Sequence, residues 1–171
     1  GVERVQPFQI TDPRVLYEFK TFYAPYELKG WNSHGFIDFF TMQTEKVAKQ
    51  SVHIVADNDV TVYSLNQGDL TSDAFMVLPT DALGDDYVVM AYTSDITSED
   101  PFTNAPSPGS TPTQFAVVAT EDNTVLEITP TEVTFLAGPG EKYSVTLNQG
   151  ESFLVQPDPR DKRRSDLTGS L

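Results

Sequence analysis

Short apolar runs bounded by turn residues recur along this chain, and no helical period is sustained beyond about two turns. Residues 74–78 (Ala-Phe-Met-Val-Leu) and 87–92 (Tyr-Val-Val-Met-Ala-Tyr) are rich in β-formers. The break between them, Pro79-Thr-Asp-Ala-Leu-Gly84, carries turn chemistry, so the pattern predicts two strands. On either side lie two segments that echo each other, residues 52–62 (Val-His-Ile-Val-Ala-Asp-Asn-Asp-Val-Thr-Val) and 115–128 (Phe-Ala-Val-Val-Ala-Thr-Glu-Asp-Asn-Thr-Val-Leu-Glu-Ile). Each reads as a strand, an Asp-Asn turn and a second strand, because Asn and Asp tolerate the left-handed angles of a tight hairpin. The expectation is two equivalent hairpins with Val60 and Val125 in matching inward positions. A second echo, Leu65-Asn-Gln-Gly68 and Leu147-Asn-Gln-Gly150, strengthens the reading of a repeated β unit.

The rest of the chain follows the same grammar. Residues 1–12 read as extended, with Val2, Val5, Phe8 and Ile10 among polar neighbours and Pro7 and Pro13 breaking any helix. Residues 15–23 place Tyr17, Phe19, Thr21 and Tyr23 on one face, the period of a strand. Residues 24–35 read as a loop and 36–44 as another strand. Strands at 51–55 and 60–65 are expected to pair across Asp57-Asn-Asp59. Residues 93–114 form a long loop, more than half Ser, Thr or Pro, of a length that is usually functional or disordered. Three more strands are predicted at 133–136, 142–147 and 152–155, then a charged loop at 157–164. Residues 166–171 read as the entry to a further strand. The fold class is all-β, an antiparallel β-sandwich of repeated hairpin units, with propeller-like blades as the alternative. More than half of the aromatic residues fall in the first 50 positions, so the chain divides into an aromatic-rich region, 1–50, and a repeat-type β region, 51–171.

Charge narrows the partners. Eleven Lys and Arg face 25 Asp and Glu among 171 residues, a net charge of −14. That balance speaks against nucleic acid and against anionic membrane surfaces, both of which need basic residues. No apolar run approaches the ~18 residues of a membrane-spanning helix, so membrane insertion is not expected. The absence of cysteine excludes disulfides, thiolate metal sites and cysteine nucleophiles. The chain opens on Gly rather than Met, as a processed or excised product would.

Candidate chemistry is sparse. There is no Gly-x-Ser-x-Gly, and His34 and His53 are the two histidines, the second inside a predicted strand. The acid pairs Asp85–Asp86, Asp57–Asp59 and Glu121–Asp122 sit on predicted turns, whereas a glycosidase opposes two carboxyls across a cleft. No enzymatic role is expected. No cofactor is expected either, calcium being the ion the acids would suit. Hard cations take oxygen ligands, and Asp57, Asp59, Asp69 and Asp73 supply them without EF-hand spacing. Tyr26 and Trp31 lie in a predicted loop and would stack on sugar rings if exposed, or pack in a core if not. Thr97, Thr103, Ser107, Ser110, Thr111 and Thr113 fit O-glycosylation by composition. Arg160, Lys162, Arg163 and Arg164 form a basic cluster that would be solvated, mark a cleavage site, or dock on the acidic face of a neighbouring copy.

Four pieces of the chain occur in the order of a known family. They are residues 53–66 (His-Ile-Val-Ala-Asp through Val-Thr-Val-Tyr-Ser-Leu-Asn), 82–88 (Ala-Leu-Gly-Asp-Asp-Tyr-Val), 115–125 (Phe-Ala-Val-Val-Ala-Thr-Glu-Asp-Asn-Thr-Val) and 166–170 (Asp-Leu-Thr-Gly-Ser). Over roughly residues 50–171 the chain resembles the domain family named for the N-terminal region of IgG-Fc-binding protein. The resemblance implies a secreted, β-rich adhesion or matrix module without known catalysis. The bacterial-surface members are the better analogy, since the mucus members are rich in cysteine. Immunoglobulin binding is not carried over.

The expectation is therefore an extracellular or cell-surface structural or adhesive module. It would self-associate into an oligomer or filament, with the segment carrying Val2, Val5, Phe8 and Ile10 added as a strand to a neighbouring copy. A carbohydrate-binding module that uses Tyr26 and Trp31 on glycans is the alternative.

Overall fold

Alternating strands form where one face can be buried, and the C-terminal half of this chain shows that alternation clearly. The computed structural model describes residues 5–12, 14–20, 28, 30–31, 42–67, 72–94, 111–161 and 165–171. Its strands are β1 (Val47–Ala48), β2 (Val62–Gln67), β3 (Ser72–Val77), β4 (Phe115–Val118), β5 (Thr124–Ile128), β6 (Tyr143–Leu147) and β7 (Ser152–Val155). They gather into three small antiparallel sheets, β1-β7-β4, β2-β3 and β5-β6. The fold is all-β, and neither a closed barrel nor propeller blades occur among the described residues.

β4 and β5 do not pair with each other, as the sequence suggested, but each pairs with the strand pair β6 and β7. Val118 faces Ser152 in one ladder and Thr124 faces Leu147 in the next. Residues 119–123 therefore face 148–151 with one residue more, the signature of a bulge that bends a ribbon. Along an extended strand Tyr143 and Phe153 would lie ~33 Å apart. Their ring centroids are 6.5 Å apart, so the ribbon folds over on itself at these two turns. Two layers result, one around β7 and one around β5-β6, and their facing side chains are the core. Ala119, Ile128, Leu147, Phe153, Val155 and Leu167 are buried there, with Phe115, Leu126, Tyr143 and Val145 packed against them.

The fold-over is held by its own polar groups. The Gln149 backbone N–H donates to Asp122 Oδ1 at 3.0 Å, and its side-chain amide donates to the Thr120 carbonyl at 2.9 Å. Asn123 and Gly150 adopt the positive φ that the two turns need. The Asn-Gln-Gly echo does not survive in three dimensions: Leu147 is fully buried, whereas Leu65, on β2, is 63% exposed. The Asp-Asn echo fails likewise. Residues 57–58 form a bend outside any strand, β2 pairs with β3 and not with 51–55, and both Val60 and Val125 are exposed. Val125 points outward because Leu126 and Ile128 take the inward positions, and the period of two leaves it no choice.

Three other expected strands are replaced. Residues 87–92 carry no strand, but Val89 exchanges backbone hydrogen bonds with Gly169 and Ser170. Of residues 133–136, Thr134 alone bridges, to Pro157. The C-terminal segment is not an open entry to another strand. Leu167 is in the core, and Leu171 exchanges backbone hydrogen bonds with Thr129. The ends of the long loop are also pinned: Ser94 and Thr113 are buried, with the Thr113 N–H donating to Ser94 Oγ at 2.9 Å.

Residues 30–31 and 42–48 of the first 50 join this body. β1 flanks β7, Thr44 bridges Leu154, and Trp31 is 3% exposed, its indole N–H donating to the Pro157 carbonyl at 2.8 Å. The boundary expected after residue 50 thus lies just past a strand of the central sheet. Leu147→Ala removes a buried side chain at the fold-over and is expected to cost ~2–5 kcal/mol, while Leu65→Ala stays within ~0.5 kcal/mol. Urea denaturation of the two variants measures the difference, and equal losses would restore the echo as a structural repeat.

Candidate functional site

Two places on the molecule concentrate unusual chemistry. One is a polar joint beside β7. The carboxamide of Gln156 accepts the Trp31 N–H at 3.0 Å and the Thr44 hydroxyl, and donates to the Trp31 carbonyl at 3.2 Å and to Gln114 Oε1 at 2.8 Å. Gly30 leaves room for it, since a Cβ there would sit 2.2 Å from the Gln156 side chain. Next to it Glu45 takes a left-handed backbone, φ 52°, a conformation that costs about 1–3 kcal/mol unless its surroundings fix it. They do: its N–H donates to the Leu154 carbonyl at 2.7 Å, Tyr143 donates its hydroxyl to Oε1 at 2.6 Å, and the Leu136 N–H donates to Oε2 at 2.9 Å. Every one of these bonds is internal, so the joint is a latch and offers no open acid or nucleophile.

The second place is a surface. β2 and β3 form a two-stranded ribbon, and among the described residues no third strand lies on either edge. Each of the six residues of β3 is exposed, whereas Val62 and Ser64 of β2 are half-buried. Tyr63 is 70% exposed, and Leu65, Phe75, Met76, Val77 and Leu78 are also open to solvent. An isolated two-stranded hairpin is marginal in water, and contiguous apolar surface of this kind marks an interaction site. The N-terminal arm matches it in character. Val5, Phe8, Ile10, Val15, Leu16 and Phe19 are exposed, and Phe8 packs on Tyr17 with ring centroids 5.3 Å apart. The dent on this arm is about 110 Å³, below the roughly 300 Å³ at which small-molecule sites begin.

The residues singled out in the sequence fall as follows. Val5, Phe8 and Ile10 are exposed as a donated strand requires, while Val2 lies outside the described residues. Trp31 is not a sugar platform: burial and its bond to Pro157 place it in the packed interior. Tyr26 lies outside the described residues. Asp57 and Asp59 are exposed on a bend, Asp73 is exposed on β3 opposite Asn66, and Asp69 lies outside the described residues. No group of three or more His, Asp or Glu side chains placed to hold a metal occurs among the described residues. Thr111 is exposed. Thr113, 2% exposed and accepting the Leu167 N–H on its hydroxyl, is closed to a glycosyltransferase. Thr97, Thr103, Ser107 and Ser110 lie outside the described residues. Arg160 is paired with Asp158 and lies over the Phe135 ring, and residues 162–164 lie outside the described residues. Sequence reasoning missed Glu45 and Gln156, whose partners are distant in the chain and leave no local signal.

The architecture defines a class, a β-rich module of small antiparallel sheets whose open surface is a strand edge. The model of the IgGFc binding protein family matches residues 73–171, more than half of the chain, and the chain belongs to that family. No curated protein and no solved structure matches it.

The latch carries a pH signature. Burial, and then the hydrogen bond to Glu45 and its charge, push the Tyr143 hydroxyl well above its ordinary value. The folded state holds this proton more tightly than the unfolded chain does. The corresponding stability is complete below ~10, the unfolded tyrosine value, and is lost as pH rises beyond it. Tyr143→Phe is expected to cost about 1–3 kcal/mol at neutral pH by leaving Glu45 one donor short, and to flatten the decline above pH ~10. Urea midpoints for both proteins across pH 7–11 test this, and parallel curves would remove Tyr143 as the cause.

Proposed function

We propose that this chain is an extracellular structural or adhesive module that works through surface contact rather than catalysis, and that it self-associates by strand addition. One observation carries the reading: an apolar two-stranded ribbon and an extended apolar arm sit on the same chain, and among the described residues neither has a further strand partner. Backbone groups at a strand edge bind any extended segment, and apolar pockets on the two faces add selectivity. A copy of the same chain supplies such a segment. The contact is head-to-tail, so it forms a ring if the rotation closes and a filament if it does not. Family membership supports a β-rich module, and the charge of −14 suits a soluble surface exposed to solvent.

Subunits of charge −14 repel at low ionic strength, where the Debye length is ~30 Å at 0.01 M and ~8 Å at 0.15 M. Association of the full chain is therefore expected to strengthen with added salt. Sedimentation velocity over a concentration series at the two salt levels measures this. A single monomeric species throughout both series would remove the self-association reading.

A further inference from the structure

The period of two at residues 15–20 demands a strand, yet among the described residues 16–20 make no backbone hydrogen bond and carry no ladder partner. β3 has the complementary deficit. Its inner edge is paired to β2 along all six residues, and among the described residues no hydrogen bond reaches its outer edge. We propose that residues 15–20 of a second copy add antiparallel to the outer edge of β3. This inference rests on the self-association reading above and specifies its donor, its acceptor and its register.

The register follows from the side chains. Asp73 is the one charged residue on β3, and no Lys or Arg occurs between Lys49 and Lys142, so this stretch of chain cannot neutralise it with a base of its own. Lys20 is the charged end of the donor. An antiparallel alignment that sets Lys20 opposite Asp73 also sets Glu18 opposite Phe75 and Leu16 opposite Val77 on that face. On the other face it sets Val15, Tyr17 and Phe19 opposite Leu78, Met76 and Ala74. Aromatic, aliphatic and opposite-charge pairs of this kind are what stabilise neighbouring strands. Donor and edge are each six residues long, ~20 Å of strand. Lys20 gives up little to move there, since its present partner Glu18 lies at 3.4 Å with both side chains more than 60% exposed. The donor segment itself is neutral, with Glu18 and Lys20, so it approaches an acidic copy without adding to the repulsion. Residues 5–10 suit the edge less well, because Pro7 has no N–H to give.

The test uses the full chain and four variants: Lys20→Asp, Asp73→Lys, the double exchange, and Tyr17→Pro. All three positions are exposed in the single chain, and an unchanged thermal melt of each variant at dilution checks that its core is intact. Sedimentation gives the association constant, and hydrogen exchange reads the amides of β3 and of residues 15–20. Each single reversal is expected to weaken association about fivefold, the double exchange to restore it, and Tyr17→Pro to abolish it together with β3 protection. Association that is indifferent to all four variants overturns this donor and register while leaving self-association standing. A monomer at every concentration with β3 protected overturns the second copy in favour of the chain's own arm. A monomer with β3 unprotected overturns this proposal and the self-association reading together.

Discussion

β7 is buried at all four of its positions, so every backbone group along it must find a partner away from water. That constraint organises the molecule. β4 covers one edge, and β1 with Thr44 and Glu45 covers the other. The second edge is awkward, because the incoming chain runs parallel at Thr44 and antiparallel at Val47. It must reverse within about one turn, and the left-handed backbone of Glu45 makes the reversal. The carboxylate of the same residue then ties the reversal to Tyr143, on β6 in the other layer, and to the Leu136 N–H. A local strain and a long-range tie are thus two ends of one side chain. Gln156, the next residue after β7, does the same for Trp31 by matching its amide to the indole residue's own N–H and carbonyl.

Much of this was legible in one dimension and some of it could not be. β4, β5 and β6 alternate between half-buried or buried and exposed positions, which is the pattern a period of two predicts. The all-β class followed from such runs and from the turn residues between them. Pairing partners did not, because an alternating strand specifies which face is buried and says nothing of which strand lies beside it. The sequence offered an Asp-Asn turn as a hairpin, and the structure uses it as one side of a fold-over whose other side is Asn148-Gln149-Gly150. In the echo of that tripeptide, Asn66 and Gln67 end the strand β2 instead, since a short polar motif is compatible with a turn in one place and a strand end in another. Trp31 and Thr113 were misplaced for a common reason. Loop composition describes solvent preference on average, and it is overruled wherever a long-range hydrogen bond such as Trp31 to Pro157 or Leu167 to Thr113 is satisfied in the interior.

Charge is distributed as unevenly as burial. Between Lys49 and Lys142 the chain carries acids and no Lys or Arg. The β2-β3 ribbon lies inside that stretch, and its strands hold one acid and otherwise uncharged residues. A soluble protein normally guards an exposed edge with lysine, proline or a bulge that twists it away. This ribbon has none of the three on its strands. The self-association proposed above would then be limited by the charge of −14, whose long-range repulsion acts at low ionic strength and relaxes as salt screens it.

The span matched by the family begins at Asp73, inside β3, and so divides the ribbon and leaves β1, Thr44, Glu45 and Trp31 outside. Those residues nonetheless complete the central sheet. Removed from them, β7 would lose the partners of one edge, and Gln156 would be left with buried hydrogen-bonding groups unmet at about 1–3 kcal/mol each. The central sheet and its polar ties therefore reach beyond the matched span, to Trp31, Thr44, Glu45 and β1. Elements that contribute few buried contacts open most easily, and the described residues of the ribbon and arm, largely exposed, are such elements. The latch and the fold-over thus hold the core, and the described residues of the ribbon and arm lie outside it.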